Sequence, residues 1–180
     1  MDTFIFILEM IGTVAFASSG AMIAIEKKMD IFGVNVLGAT TAVGGGIMRD
    51  VILGLAPPTA FSKPVYILIA VVTSTILFAI AYKRMDTIRS ITKSEYYDKL
   101  MFWCDTAGLG IFTVVGIQTA SRMMQENNTF FFVFIGVLTG VGGGVLRDIM
   151  AGETPYILVK HIYASAPIAG GIVAVGSRNM

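Results

Sequence analysis

The residues of this chain best suited to chemistry lie in two copies of one short motif. Residues 44–50 read Gly-Gly-Gly-Ile-Met-Arg-Asp, and residues 142–148 read Gly-Gly-Gly-Val-Leu-Arg-Asp. Each glycine triplet lies within a long apolar stretch, where a glycine weakens a helix by roughly 1 kcal/mol relative to alanine. We therefore expect the two helices that carry the triplets to be broken there, with freed carbonyls facing a cavity.

Freed backbone carbonyls are suited to bind a cation that sheds its water. The predicted ion-binding residues are the two triplets, Gly44, Gly45, Gly46, Gly142, Gly143 and Gly144. Transient monovalent cations are expected at these carbonyls, and no other metal. The alternative interpretation is that the glycines only let neighbouring helices pack closely.

The charged residues after each triplet form the second part of the candidate site. Ionisable side chains within a membrane are costly and usually functional. Arg49, Asp50, Arg147 and Asp148 are therefore predicted to form a charged pore constriction toward each mouth. Adjacent residues of a helix point in different directions, so Arg49 and Asp50 need not contact each other. The alternative is that both pairs extend to the lipid headgroups.

Other ionisable residues are candidates for the same pathway. Asp105, Lys63 and Lys160 are possible pathway residues, although Asp105 equally suits an anchor at the membrane interface or the cap of a kink. Glu9 lies early in the first apolar stretch and is predicted at the membrane interface. The single histidine, His161, is predicted there as well.

The elements that must position these residues are membrane helices. The chain has 180 residues, of which 55% are apolar and 14% charged, against roughly 25% charged residues in a soluble domain. The mean hydropathy is +0.77. The net charge of +1 gives no electrostatic case for a nucleic-acid partner. One cysteine and one histidine exclude an internal disulfide and a Cys/His metal site.

Six stretches reach the roughly 20 apolar residues that a membrane helix needs. They lie at about Phe4–Ile25, Ile31–Leu55, Pro64–Tyr82, Met101–Ala120, Thr129–Ala151 and Pro155–Gly176. The predicted fold class is therefore an all-α integral membrane protein. No nucleophile–base pair or cofactor motif is visible, so neither an enzyme nor a cofactor is expected.

The two motifs belong to a longer internal repeat. At an offset of 98 residues, Gly54 matches Gly152 and Pro57 matches Pro155. At an offset of 96, three residues of the first span match three of the fourth: Gly12, Phe16 and Gly20 match Gly108, Phe112 and Gly116. The predicted units are residues 1–99, a three-helix repeat with its loop, and residues 100–180, the second three-helix repeat.

The number of helices in each unit predicts its direction in the membrane. Because three is odd, the second unit enters the membrane from the opposite side, and such inverted repeats hold their functional site near the midplane. Eight lysines and arginines lie in loops on the side opposite the N-terminus and three on its own side. Since basic loops stay cytoplasmic, the N-terminus is predicted to lie outside.

The two motifs, together with Gly12–Gly20 and Asp105–Gly116, give the chain a family resemblance. It resembles the prokaryotic branch of the trimeric intracellular cation (TRIC) channels, much of which is also labelled as glycine transporters. The resemblance covers about residues 4–176. It implies a homotrimer in the prokaryotic cytoplasmic membrane, with one potassium-conducting pore per protomer lined by the second and fifth helices. The usual seventh helix is expected to be missing.

Two functions follow from these observations. The first is a monovalent cation channel, with the pore of each protomer at the interface of the repeats and with potassium or sodium ions and membrane lipid as partners. The alternative is a secondary transporter of glycine or another small amino acid, because inverted repeats with broken helices are also found in transporters. In that case half-helix N-termini, assisted by Arg49 or Arg147, would hold a carboxylate. A membrane scaffold is a third class.

Overall fold

A computed structural model of the chain describes residues 3–83, 95–124 and 128–159. These residues form helices without strands, in the order α1 Thr3–Glu26, α2 Ile31–Ile52, α3 Thr59–Ser62, α4 Val65–Lys83, α5 Glu95–Met123, α6 Thr129–Met150 and α7 Tyr156–Val159. Five of them, α1, α2, α4, α5 and α6, are long and apolar enough to cross a membrane. The all-helical membrane fold is thus confirmed. Most of the sixth predicted span, with Lys160 and His161, lies outside the described residues.

Local sequence signals begin and end the two helices that carry the motifs. The Asp30 side chain accepts a hydrogen bond from the Gly33 N–H and caps α2, and Asn128 caps α6 through the Phe131 N–H. Gly54 and Gly152 follow the last turns with φ of +73°. After α2, the Leu55 N–H donates to the Asp50 carbonyl and the Gly54 N–H to the Val51 carbonyl. This bonding pattern needs the left-handed conformation that glycine adopts without strain.

The expected breaks at the glycine triplets are absent. The chain remains α-helical from Ile31 to Ile52 and from Thr129 to Met150. In lipid, each unsatisfied backbone group costs several kcal/mol, so a continuous helix with its own hydrogen bonds is favoured over a break. The glycine carbonyls stay within these helices, and the predicted filter of freed carbonyls is not formed.

The glycines instead allow α2 and α6 to cross with their backbones in contact. A Cβ atom added to Gly45 would collide with the Thr139 carbonyl, and one added to Gly143 with the Thr41 carbonyl. A Cβ atom on Gly44 would lie 2.6 Å from the Leu146 side chain. The alternative of close helix packing is therefore correct for these glycines.

Helices α1 and α5 complete the centre of the molecule. Helix α1 packs on α2, α4 and α5, while α5 packs on α6. The Phe16 ring of α1 packs against the Phe112 ring of α5 at a tilt of 33°, with 5.3 Å between the ring centroids. Ala17, Ala42 and Ala70 join these rings in one buried cluster. Residues that correspond in the internal repeat, Phe16 with Phe112, thus meet directly.

The outer faces of the helices are apolar. On α1 the exposed side chains include Phe4, Ile7 and Ile11, and on α4 large aliphatic side chains recur every four residues, at Leu68, Val72, Ile76 and Ile80. Apolar stripes with this spacing cover one face of a helix. Such faces are suited to contact lipid or neighbouring membrane helices.

The helix crossing predicts a difference between glycines of one triplet. Gly143→Ala is expected to destabilise the protein by about 1–3 kcal/mol, because its Cβ atom overpacks the crossing. The melting temperature in detergent should fall by several degrees, at about 2–4 °C per kcal/mol. Gly144→Ala is the matched control, since its Cβ atom would meet its nearest neighbour at 3.9 Å. Equal melting temperatures for the two variants would contradict this account of the crossing.

Candidate functional site

Arg49 and Asp50, at the C-terminal end of α2, form a buried ion pair. Their exposed fractions are 5% and 0%. The Arg49 Nε donates to Asp50 Oδ1 at 2.8 Å, and Nη2 lies 2.7 Å from the same oxygen. The other oxygen, Oδ2, accepts a hydrogen bond of 2.6 Å from the Thr59 N–H at the start of α3. Asp50 therefore holds both the arginine and the loop that follows α2.

Arg147 and Asp148 repeat this pairing at the end of α6, with further partners. Nε donates to Asp148 Oδ1 at 2.8 Å, and Nη2 lies 2.8 Å from the same oxygen. Nη1 donates to Asp105 Oδ1 of α5 at 2.5 Å and also to the Ser19 hydroxyl of α1. One guanidinium therefore ties together α1, α5 and α6.

The sequence left open whether each arginine contacts the aspartate beside it and whether the pairs extend to the lipid headgroups. Each arginine contacts the aspartate that follows it, because the long arginine side chain folds back along the helix to reach the neighbouring carboxylate. Neither pair extends to the headgroups, since Arg147 and Asp148 are only 3% and 4% exposed, much like the Arg49 pair. A buried charge needs a partner of opposite sign, and these pairs supply it.

Each pair lines a cavity of its own. The Arg49 cavity has a volume of about 40 Å³ and is lined by residues of α1, α2, α3, α4 and α5: Glu9, Thr13, Ala42, Val43, Gly46, Arg49, Asp50, Thr59, Ala60, Tyr66 and Phe112. The Arg147 cavity has a volume of about 30 Å³ and is lined mainly by α5 and α6, through Phe16, Asp105, Leu109, Gly140, Val141, Gly144, Val145, Arg147, Asp148 and Ile157.

The two cavities lie at different heights along α1. Glu9 lines the Arg49 cavity, whereas Ser19 contacts Arg147. Ten residues separate them, which corresponds to about 15 Å along a helix. The contacting Phe16 and Phe112 rings lie between the cavities, since Phe16 lines one and Phe112 the other.

The predicted glycines divide between packing and cavity wall. Gly46 and Gly144, the last of each triplet, line the two cavities. A Cβ atom added to Gly46 would lie 4.0 Å from the Arg49 guanidinium, and one added to Gly144 would lie 3.9 Å from the Arg147 guanidinium. The other four glycines of the triplets lie at the helix crossing and line neither cavity.

The other predicted residues are placed differently. Asp105 lies in the site, as the ion-pair partner of Arg147. Lys63 is exposed at the end of α3 and is not among the residues that line the two cavities. Lys160 lies outside the described residues.

Glu9 was missed by sequence reasoning, which predicted it at the membrane interface. It is half-buried, and its Oε2 accepts a hydrogen bond of 2.5 Å from the Tyr66 hydroxyl of α4. The internal repeat contained a signal for it, because the offset of 96 that relates Gly12 to Gly108 also relates Glu9 to Asp105, which is acidic as well.

An exposed ion pair joins two loops at the end of the molecule that holds Arg147. Lys27 Nζ lies 2.7 Å from Glu153 Oε1. The hydrogen bond with Glu153 raises the pKa of Lys27. The contribution of this pair to stability is therefore complete below the ordinary lysine pKa and is lost as the pH rises through the raised value. Because both side chains are exposed, that contribution is small and screened by salt.

Comparison with protein families gives a match over most of the chain. The profile of a family described as "Glycine transporter" matches it twice, at residues 6–82 and 102–179. The UPF0126 inner membrane protein YadS of Escherichia coli strain K12 is 41% identical over 167 residues, which cover 92% of this chain and 75% of that protein.

Solved structures match the fold. The TRIC trimeric intracellular cation channel orthologue from Rhodobacter sphaeroides has a TM-score of 0.84 and 30% identity, over 98% of this chain and 91% of that chain. A second structure, solved to explain conductance through TRIC cation channels, has a TM-score of 0.78 and 37% identity, over 96% of this chain and 79% of that chain.

The unequal partners of the two arginines predict unequal stability effects. Arg147→Ala leaves the Asp148 and Asp105 carboxylates without their buried guanidinium and is expected to cost about 3–5 kcal/mol. Arg49→Ala removes the counter-charge of Asp50 alone and should cost less. The measurement is the melting temperature of each purified variant in the same detergent. If the melting temperature of Arg49→Ala fell by as much as that of Arg147→Ala, or by more, the proposed connection of three helices through Arg147 would be contradicted.

Proposed function

The chain belongs to the TRIC channel family, and from this membership we propose that it is a membrane channel that conducts monovalent cations, mainly potassium, without a coupled substrate. The observation that carries this function is the pair of charged cavities on the two sides of one helix crossing. Each cavity contains two carboxylates and one guanidinium, a formal net charge of −1. A negative charge in a low-dielectric cavity attracts cations and repels anions.

The proposed conduction path runs from the Arg49 cavity to the Arg147 cavity within one protomer. Gly46 and Gly144 form part of its wall, and the absence of side chains there leaves room beside each guanidinium. Arg49–Asp50 and Arg147–Asp148 form the charged constrictions. The Phe16 and Phe112 rings close the path between the cavities, because two apolar rings in contact exclude water.

We further infer that the path lies between two inverted repeats, residues 1–99 and 100–180. The family profile matches the chain once in each unit. Corresponding residues meet at the centre, namely Phe16 with Phe112 and Gly45 with Gly143. Such contacts between equivalent residues are expected where a pseudo-two-fold axis passes through a molecule.

The assembly and orientation are proposed by analogy. A homotrimer in a prokaryotic cytoplasmic membrane, with the N-terminus outside, agrees with the trimeric channel orthologue and with the excess of basic loop residues on the other side. The exposed apolar faces of α1 and α4 are available for lipid and for neighbouring protomers.

Flux through purified protein in liposomes tests the channel function. With a potassium gradient and a voltage-sensitive dye, rapid potassium flux is expected in the absence of glycine. Gly46→Leu and Gly144→Leu should lower it by about tenfold or more, because the leucine side chain fills the cavity beside the guanidinium. Gly46→Ala is the size control and should retain most of the flux. Saturable uptake of labelled glycine without ion flux would instead support the transporter.

The aromatic pair gives a second functional prediction. Phe112→Ala removes one ring from the closed point of the path and is expected to raise potassium flux several-fold. Phe102→Ala is the matched control, since Phe102 lies on the same helix with 45% of its surface exposed. Flux would be compared at equal amounts of folded protein, measured by gel filtration. A Phe112→Ala channel with parental flux would remove the aromatic pair from the path.

A further inference from the structure

The two repeats contribute acidic side chains to the two cavities, but these side chains have different partners. Asp105, on α5, accepts a hydrogen bond of 2.5 Å from the Arg147 guanidinium. Glu9, on α1, accepts one of the same length from the neutral Tyr66 hydroxyl. One carboxylate is thus matched by a positive charge in direct contact, and the other is held by an uncharged donor.

The Arg49 guanidinium does not take the place of Tyr66 at Glu9. Its Nε and Nη2 atoms are both directed to Asp50 Oδ1. Among the described residues, the ion pairs of the Arg49 cavity join Arg49 to Asp50 and leave Glu9 out. The half-buried Glu9 carboxylate therefore presents its charge to the cavity that it lines.

A carboxylate in this position affects which ions enter. Asp and Glu side chains that line a pore favour cations, because their negative charge attracts cations and repels anions. Glu9 has an oxygen that is not the acceptor of the Tyr66 hydroxyl, and a passing cation can approach it. At Asp105 the guanidinium already occupies the approach to Oδ1.

We propose that Glu9 is the residue that sets the preference for cations over anions, and that Tyr66 positions its carboxylate. This inference rests on the proposed channel function and assigns its charge selectivity to one end of the path. Tyr66 is only 7% exposed, so the packing of α4 fixes the hydroxyl that holds Glu9. Asp105 has the different role of holding Arg147 against α5.

The test is the reversal potential of the full-length protein in planar bilayers under a KCl gradient. Glu9→Gln is expected to lower the ratio of potassium to chloride permeability by on the order of tenfold, the scale of one unit charge acting within a protein cavity. Glu9→Asp, which retains the charge, should keep the greater part of the ratio. The difference in permeability ratio between the parent protein and Glu9→Gln should shrink near 1 M salt, where the screening length falls to about 3 Å.

Two further variants separate this role from a general effect of negative charge. Asp105→Asn removes a carboxylate from the other cavity and should lower the permeability ratio less than Glu9→Gln does. Tyr66→Phe keeps the charge but releases it from its donor, and its ratio is expected between those of the parent protein and Glu9→Gln. Gel filtration and the melting temperature establish that each variant is folded.

The outcomes are distinct. Cation-selective current in the parent protein with an unchanged ratio in Glu9→Gln overturns this inference and leaves the channel function in place. An equal fall of the permeability ratio in Asp105→Asn and Glu9→Gln also overturns it, because selectivity would then follow the total charge of the path. A parental ratio in Tyr66→Phe refutes the positioning role of Tyr66. Absence of any ion current in the parent protein overturns the channel function and this inference with it.

Discussion

The close approach of α2 and α6 at Gly45 and Gly143 is the constraint on which the rest of the structure depends. No side chain separates the two backbones at this crossing, because a Cβ atom on either glycine would collide with a carbonyl of the facing helix. Each arginine follows its crossing glycine by four residues, a rise of about 6 Å along a helix. The crossing therefore sets where both guanidinium groups lie, and any separation of the helices would displace both cavities.

Burial of charge is the second constraint, and it explains why the motif contains aspartate as well as arginine. A lone guanidinium among apolar helices would lose its hydration without compensation. The adjacent aspartate supplies a counter-charge within reach of the same helix, and Asp50 also binds the first N–H of α3. The ion pair thereby connects the end of the crossing helix to the loop beyond it, so that the charge of the site and the path of the chain depend on one interaction.

Two nearly identical motifs produce two different sites because the surrounding helices differ. Ser19 of α1 contacts Arg147, while the residue that corresponds to it at the offset of 96 is Val115, which has no polar group to offer Arg49. The shorter Asp105 side chain reaches Arg147, whereas Glu9 reaches Tyr66 of α4. One end of the proposed path is therefore tied across three helices. The other retains a carboxylate that, within the described part of the chain, is held by a hydroxyl and not by a cation.

The sequence by itself determined the features that depend on near neighbours in the chain. Apolar length predicted six membrane spans, of which five are long helices of the described residues. The repeat paired Gly54 with Gly152, both of which follow a helix with positive φ. Only the tertiary structure decided that the glycine triplets stay helical, that Arg49 pairs with Asp50, and that Glu9 faces a cavity. Helix propensity disfavours Gly44–Gly46, but the facing backbone of α6 outweighs it. The physical reason is that length, caps and turns act within a few residues, whereas the partner of a buried charge is set by side chains on other helices.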